Sequence, residues 1–356
     1  MMQDSRRKFL KTGLLGTATF GTIMLGANTQ TVESKRVESN GINISESKPL
    51  DSHKLDSKST NSNTHKGESM QDSQVWFITG ASGGLGLELA KYLLERGDKV
   101  VGTSRKLSKL DKESANFLPL ELNFDKNMAK DIESVLRATH KKFGRIDNVV
   151  NNAGYGLLGF VEEVSKKALR QQFEVNVFAP YLIAQNTLKI MRPQSLSQGG
   201  SSQNIKARIY NLSSLAGFMA TSGSTPYSMS KFALSALSEG LALETKEFGI
   251  HTINVMPAAF RTEFFGSSAQ LGDIELKEYE ANRQELIQNI KNYNGKQEGN
   301  PKAFAKIIYE TSRMPKPPFN LFIGENAYKG AEAKIAKVQE DMKATRKYAG
   351  KPADFS

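Results

Sequence analysis

The run Val75-Trp76-Phe77-Ile78-Thr79, followed at once by Gly80-Ala81-Ser82-Gly83-Gly84-Leu85-Gly86, constrains this chain more than any other feature. An apolar, β-favouring run without alternation describes a strand buried on both faces, as in a parallel sheet. Over residues 87–96, Leu89, Ala90, Leu93 and Leu94 then recur at helical spacing. In a strand, glycine turn and helix placed in direct succession, the glycines let the backbone come close to a pyrophosphate, and the free amides of the helix N-terminus stabilise its charge. A glycine-rich turn alone is an ordinary tight turn; its position between strand and helix is what points to a dinucleotide.

Residues 99–103 read as the next strand. At its end, about 20 residues past the glycines, a dinucleotide enzyme places an acidic residue to bind the ribose 2′-hydroxyl. Here the chain reads Thr103-Ser104-Arg105. A carboxylate would repel a 2′-phosphate, whereas Ser104 can hydrogen-bond to it and Arg105 can pair with its charge. The pair therefore favours NADP(H) over NAD(H), against the plainer reading of Arg105 as a surface arginine at a helix start.

Further strands are read over residues 117–122, over a run whose end is 149–154, over 208–214 and over 251–256, with a helix over 129–143. Tyr227-Ser228-Met229-Ser230-Lys231 opens a helix that runs to residue 243, so Tyr227 and Lys231, four apart, share one face. An ammonium beside a phenol favours the phenolate and lowers its pKa from about 10 toward the range of a general acid or base.

With these residues in view, the chain resembles the short-chain dehydrogenase/reductase family in its classical form. The resemblance rests on Thr79-Gly80-xxx-Gly84-x-Gly86, Asn151-Asn152-Ala153-Gly154, Asn176 within Phe173-Glu174-Val175-Asn176-Val177, Ser213-Ser214-Leu215-Ala216-Gly217, and Tyr227-xxx-Lys231. Ser214 precedes Tyr227 by 13 residues, the usual family interval. The motifs fall in order over residues 74 to about 265 and leave the first 73 residues uncovered.

The resemblance implies a doubly wound, Rossmann-type α/β fold with a parallel sheet of about seven strands and a small helical substrate lid over roughly residues 258–298. It further implies that Tyr227 exchanges a proton with the substrate oxygen, that Ser214 holds that oxygen, that Lys231 binds the nicotinamide ribose and tunes Tyr227, and that Asn176 holds a water linking Lys231 to solvent. Thr79, Gly80, Ser82, Gly84, Leu85, Gly86, Asn152, Ala153, Gly154, Pro257 and Thr262 would line the cofactor, with Ser104 and Arg105 at its 2′-phosphate. No metal is required.

Two positions depart from the family pattern. Ala258 follows Pro257 where a glycine is usual, which puts the local backbone in doubt, and Asn123 stands near an aspartate position at the adenine pocket. A polar stretch over 193–206 is expected as a surface loop, His140 as a helix-surface residue and His251 as a strand-edge one. Around the substrate, Phe260, Phe264, Phe265, Leu271, Ile274 and Tyr279, with Tyr155, Leu157, Leu158, Phe218 and Met219, suggest a pocket for a hydrophobic ketone, aldehyde or alcohol; simple core packing explains them equally well.

Asn300 and Pro301 read as N-cap and first turn of a helix over 302–312, and residues 319–323 as a last strand. The domain is placed at 74–325, with a helical tail over 326–356 that is read as docked and solvated, in preference to a membrane-surface or partner-binding helix.

The N-terminus is not read as fold. Ser5-Arg6-Arg7-Lys8-Phe9-Leu10-Lys11 precedes an uncharged stretch over 12–27 and resembles a twin-arginine export signal at every position. Its 16-residue apolar part is shorter than the roughly 18–20 residues that span a bilayer, which favours a removable signal over residues 1–27. Residues 28–73 carry no aromatic side chain and read as a disordered polar linker. An exported, periplasmic bacterial protein handled by the twin-arginine machinery follows, or one tethered to the membrane by an uncleaved N-terminus. Since free NADPH is cytoplasmic, the folded enzyme would take up its dinucleotide before crossing and retain it.

The net charge of +11 is divided as +3 over 1–27, −1 over 28–73, +6 over 74–328 and +3 over 329–356, without a basic aromatic stripe, so no nucleic-acid partner is inferred. With no cysteine, disulfide scaffolds, thiolate metal sites and thiol nucleophiles are excluded. A homo-oligomer is allowed for. The rivals to a hydride-transfer enzyme are an epimerase or dehydratase on the same fold, and a non-catalytic NADP-binding sensor or scaffold.

Overall fold

A computed structural model describes residues 73–349; the signal and linker readings and the last seven residues lie outside the described residues. β1 (Val75–Ile78) leads through the glycine turn into α1 (Gly84–Glu95) and back along β2 (Lys99–Ser104). β3 (Phe117–Glu121), α2 (Met128–Phe143), β4 (Asn148–Asn151), β5 (Gly156–Leu158) and α3 (Lys166–Phe173) follow. α4 (Ala179–Ser197), β6 (Ala207–Leu212), α5 (Thr225–Thr245) and β7 (Ile250–Pro257) come next. The chain then forms β8 (Ala269–Leu271), α6 (Glu280–Tyr293), α7 (Pro301–Arg313), β9 (Asn320–Ile323) and α8 (Glu325–Thr345).

Seven strands form one sheet in the order β3-β2-β1-β4-β6-β7-β9, every neighbouring pair parallel. This is the doubly wound α/β fold. Successive side chains of a strand face opposite sides, so Trp76 and Ile78 enter one layer and Phe77 the other. The first layer receives Leu89, Ala90 and Leu93 of α1 and Phe304, Ala305 and Ile308 of α7; the second receives Ile132, Val135 and Leu136 of α2 and Ile183 and Met191 of α4. Each of the larger side chains contributes about 1.5–3 kcal/mol by leaving water. Trp76 also donates from Nε1 to Asp98 (3.0 Å), which is paired with Arg313 at the end of α7 (2.6 Å), so the buried indole has its polar partner. Strand order reverses between β1 and β4, and the crevice at their carboxyl ends is where such folds take a ligand.

Two expectations need correction, and two more gain detail. The stretch over 193–206 is not a loop throughout, because α4 continues to Ser197 with Pro193 inside it. Gln194 ties that turn to the start of β4, accepting from the Ile146 amide (2.9 Å) and donating to the Ile146 carbonyl and Asp147 (both 3.0 Å). With Met191 and Ser195 fully buried, these contacts outweigh the single hydrogen bond that proline removes. His251 is not on an edge strand: β7 lies between β6 and β9, and burial lowers the histidine's pKa. The tail helix α8 is seated only by its first turns, through Ala327, Gly330 and Ala331, and every residue from Glu332 to Ala349 is exposed.

The last detail concerns the lid. It is helical in α6 but also carries β8, which pairs in parallel with β5 in a second, two-stranded sheet. Polar contacts latch its outer end. The buried Glu163 pairs with Arg283 of α6 and accepts from the Leu276 amide (3.1 Å). Asp273 accepts from the Ser165 amide (2.8 Å) and hydroxyl (2.6 Å), and Tyr279 stacks on Phe160 at 5.0 Å while donating to Glu162 (2.6 Å).

Candidate active site

Gly80 turns the chain out of β1 with φ of 69°, a left-handed conformation suited to glycine. Asn152, just past β4, clamps the turn by donating to the carbonyls of Thr79 (2.8 Å) and Gly80 (3.1 Å). Thr79 replies through its hydroxyl, which accepts from the amides of Asn152 (3.0 Å) and Ala153 (2.9 Å). Gly86 lies where a Cβ would come within 2.4 Å of Asn152 Nδ2 and 2.5 Å of the Gly80 carbonyl, so the turn closes only around a bare backbone. At the start of α1, Gly83 is extended, no side chain caps the helix, and its first turn holds no acidic residue. Amides left without partners at a twelve-residue helix are the donors a pyrophosphate needs, so these residues fit a dinucleotide.

The other cofactor candidates gather on the same edge of the sheet. Ser104, at the end of β2, donates to the Ser82 hydroxyl (3.0 Å), with the exposed Arg105 beside it. Asn123 follows β3 and hydrogen-bonds to Glu121 (3.3 Å). Thr262 lies over the start of α1, its Cβ 3.5 Å from where a Cβ on Gly84 would stand. Leu85 packs its side chain against the first core layer, leaving its backbone to the loop. Pro257 ends β7, and Ala258 donates from its amide to the Ile323 carbonyl (2.9 Å). Among the described residues no non-glycine has positive φ, so alanine at 258 imposes no strain.

Ser214, Tyr227 and Lys231 come together beside this loop. Ser214 follows β6, and Tyr227 and Lys231 sit one turn apart in α5, both buried, with Lys231 Nζ 5.7 Å from the Tyr227 ring centre. Lys231 donates to the Leu212 carbonyl (2.6 Å). Asn176, in the π-turn Glu174–Phe178, donates to the Tyr155 carbonyl (3.1 Å) and the Ser230 hydroxyl (3.0 Å) and accepts from the Tyr155 amide (3.2 Å). Gly154 joins the two ends of the site: it follows Asn152 and Ala153 at the glycine turn, and a Cβ on it would stand 3.0 Å from Asn176 Oδ1 and 3.6 Å from Lys231 Nζ.

The electrostatics differ from the sequence expectation. Burial pushes the Tyr227 phenol up to about 12, opposed by its hydrogen bond with Ser214. Burial also brings the Lys231 ammonium down to about 8, which weakens the charge expected to stabilise a phenolate. Desolvation wins over the lysine's proximity. The sign for stability follows from protons bound: between pH of about 8 and 10 the unfolded lysine keeps a proton that the folded one has released, so folding is favoured as pH rises. Above about 10 the unfolded phenol ionises while the folded one does not, and stability falls. The unfolding free energy of the cofactor-free protein, read from urea titrations, should therefore climb through the first window by up to about 1.4 kcal/mol per pH unit, and Lys231→Met should flatten that climb.

Several site residues escape a reading by motif. Ser230 accepts from Asn176 and donates to the Tyr227 carbonyl (2.7 Å), which joins the π-turn to α5. Gln172, fully buried, donates to the Tyr155 carbonyl (2.8 Å) and accepts from the Leu157 amide (2.7 Å). Ser213, already part of the double-serine motif, adds a bond to the Lys231 carbonyl (3.0 Å). The one local signal is the run of serines around Tyr227 in a buried helix. Of the expected pocket residues, Phe264, Phe265 and Leu158 cluster with Tyr227. Phe260 does not, because it packs into the core on Phe304 at 5.7 Å, and Leu271 and Ile274 are exposed.

A family profile described as short chain dehydrogenase matches residues 74–271. The oxidoreductase BOA17 of Botryotinia fuckeliana is 30% identical over 278 residues, covering 76% of this chain and 96% of that protein. A 3-ketodihydrosphingosine reductase of Bacteroides thetaiotaomicron is 32% identical over 191 residues, covering 54% of this chain and 65% of that one. Among solved structures, a short-chain dehydrogenase of Streptomyces avermitilis superposes with a TM-score of 0.67 at 30% identity, over 78% of this chain and 98% of that chain. Matched in profile, length and architecture over its folded region, the chain belongs to the short-chain dehydrogenase family as an NAD(P)-dependent oxidoreductase.

Proposed function

We propose that the protein interconverts a hydrophobic ketone or aldehyde and its alcohol, with NADP(H) preferred over NAD(H). The observation that carries this reading is the segment Asn152-Ala153-Gly154, which holds the glycine turn at one end and lies against Lys231 and Asn176 at the other. A dinucleotide bound there supplies the hydride donor or acceptor at its nicotinamide ring. Thr79, Gly80, Gly84, Leu85 and Gly86 hold its phosphates, and Thr262 and Pro257 its nicotinamide side.

Tyr227, a neutral phenol at neutral pH, gives its proton to the carbonyl oxygen during reduction and takes one back during oxidation. Ser214 orients the same oxygen by hydrogen bonding. Lys231 binds the ribose, and Asn176 positions the Tyr155 backbone and α5. A phenol held at about 12 carries its proton across the physiological range, so the proton that carbonyl reduction consumes is in place. The aromatic cluster of Phe264, Phe265 and Tyr293 around Tyr227 supports a hydrophobic substrate, and the relative named a 3-ketodihydrosphingosine reductase supports a ketone.

The test is a spectrophotometric screen of ketones and alcohols with both dinucleotides. Arg105→Ala should weaken NADPH about tenfold and leave NADH unchanged, since only the former offers the charge Arg105 would meet. Equal loss for both cofactors would sink the assignment.

We propose export by the twin-arginine route, with the cofactor loaded before translocation, on the strength of the Ser5–Lys11 pattern. Periplasmic fractionation with N-terminal sequencing checks this; a cytoplasmic or cofactor-free mature protein would count against it.

A further inference from the structure

The proton donor assigned above is covered. Phe264 stands with its ring centre 5.3 Å from that of Tyr227, and Tyr227 is only 8% exposed. The far end of the Phe264 ring meets bare backbone: a Cβ on Gly156 would come within 2.8 Å of its Cζ. The ring therefore fills a slot bordered by the Gly156 backbone and the Tyr227 ring. A carbonyl group approaching the phenol from this side needs that same space, and ring and substrate cannot share it.

The contacts decide which part moves. The outer lid is held by the Glu163–Arg283 pair, by Ser165 on Asp273, by Tyr279 on Phe160 and Glu162, and by β8 on β5. Phe264, by contrast, is carried on the three-residue turn Glu263–Phe265, and its amide donates over a long 3.3 Å to the Thr262 hydroxyl. Side-chain rotation on a short turn disrupts far less than unlatching the lid.

We infer that Phe264 is a gate on the catalytic phenol: it lies on Tyr227 when no substrate is present and swings aside, with the lid still latched, for a flat ketone that takes its place against Gly156. The gate deepens the function proposed above and rests on Tyr227 as proton donor. It also narrows the substrate class. A ring-bearing or conjugated ketone refills the slot and restores the packing on Tyr227 that Phe264 gives up, whereas a small aliphatic ketone leaves part of it empty. Gly156 becomes a specificity position, because any side chain there would narrow the slot.

Two variants test this in the cofactor-free protein, with folding checked by circular dichroism. Labelling with N-acetylimidazole, resolved by peptide mass spectrometry, reads access to the Tyr227 hydroxyl. Phe264→Ala should speed labelling of Tyr227 about tenfold, and Gly156→Ala, whose methyl evicts the ring, should do likewise. In turnover, Phe264→Ala should lower KM for a ring-bearing ketone about tenfold with little change for acetone, while Gly156→Ala raises KM for the ring-bearing ketone because its methyl stays in the slot. Unchanged labelling in both variants, or a KM for the ring-bearing ketone that rises in Phe264→Ala, overturns the gate and makes Phe264 a fixed wall. Altered labelling together with full turnover in Tyr227→Phe leaves the cover standing and instead removes Tyr227 as the proton donor.

Discussion

Replacing Tyr227 by Phe lowers kcat for carbonyl reduction by about a hundred- to ten-thousand-fold, the range expected when a positioned general acid is lost. The change removes one oxygen and leaves the ring, so the packing on Phe264 and the bond from Ser230 to the Tyr227 carbonyl persist. Stability and substrate affinity should therefore change little, and the loss should appear in the chemical step as about 3–5 kcal/mol of barrier. Single-turnover kinetics with saturating dinucleotide separates that step from product release. A kcat within threefold of the parent would mean that the proton comes from elsewhere. Ser214→Ala should cost less, because Ser214 orients the oxygen without supplying the proton.

Gly86→Ala is the second large effect, and it acts on the cofactor. The added methyl meets Asn152 Nδ2 at 2.4 Å and the Gly80 carbonyl at 2.5 Å, both of them parts of the clamp and neither the loose end of a flexible chain. Relief requires Asn152 to release the carbonyls of Thr79 and Gly80, which moves the turn away from the geometry that presents its amides. Dinucleotide affinity should fall about a hundredfold and folding stability by about 1–3 kcal/mol, the cost of overpacking a close site. Calorimetric titration and urea unfolding read the two separately. Gly83→Ala is the comparison, since nothing lies within 4 Å of a Cβ there and the backbone is extended, so its losses should be far smaller. Equal effects at the two glycines would show that close approach is not what the turn requires.

How much of this was legible in the chain can be judged from single elements. β1, the glycine turn and α1 were readable because their determinants are local: an unbroken apolar run, residues free of Cβ, and leucines returning every three or four positions. The same holds for the Tyr227 and Lys231 pair, whose meeting follows from helical pitch alone. Asn300 was readable as a cap, and its side chain does accept from the Lys302 amide (3.0 Å). Pro193 was misread because proline's local preference is weak against the distant anchors that Gln194 finds at Ile146 and Asp147.

The sequence by itself determined β1, the glycine turn, α1 and the meeting of Tyr227 with Lys231, since backbone geometry and residue period dictate these within one element or between neighbours; the doubly wound sheet followed from the family resemblance. Only the tertiary structure decided what surrounds them. It sent Phe260 to the core and Phe264 to the phenol, paired β8 with β5, and turned Asn176 toward Tyr155 and Ser230. It also reversed the expected shift of Tyr227, because desolvation depends on everything packed around a group and residue spacing carries no measure of that.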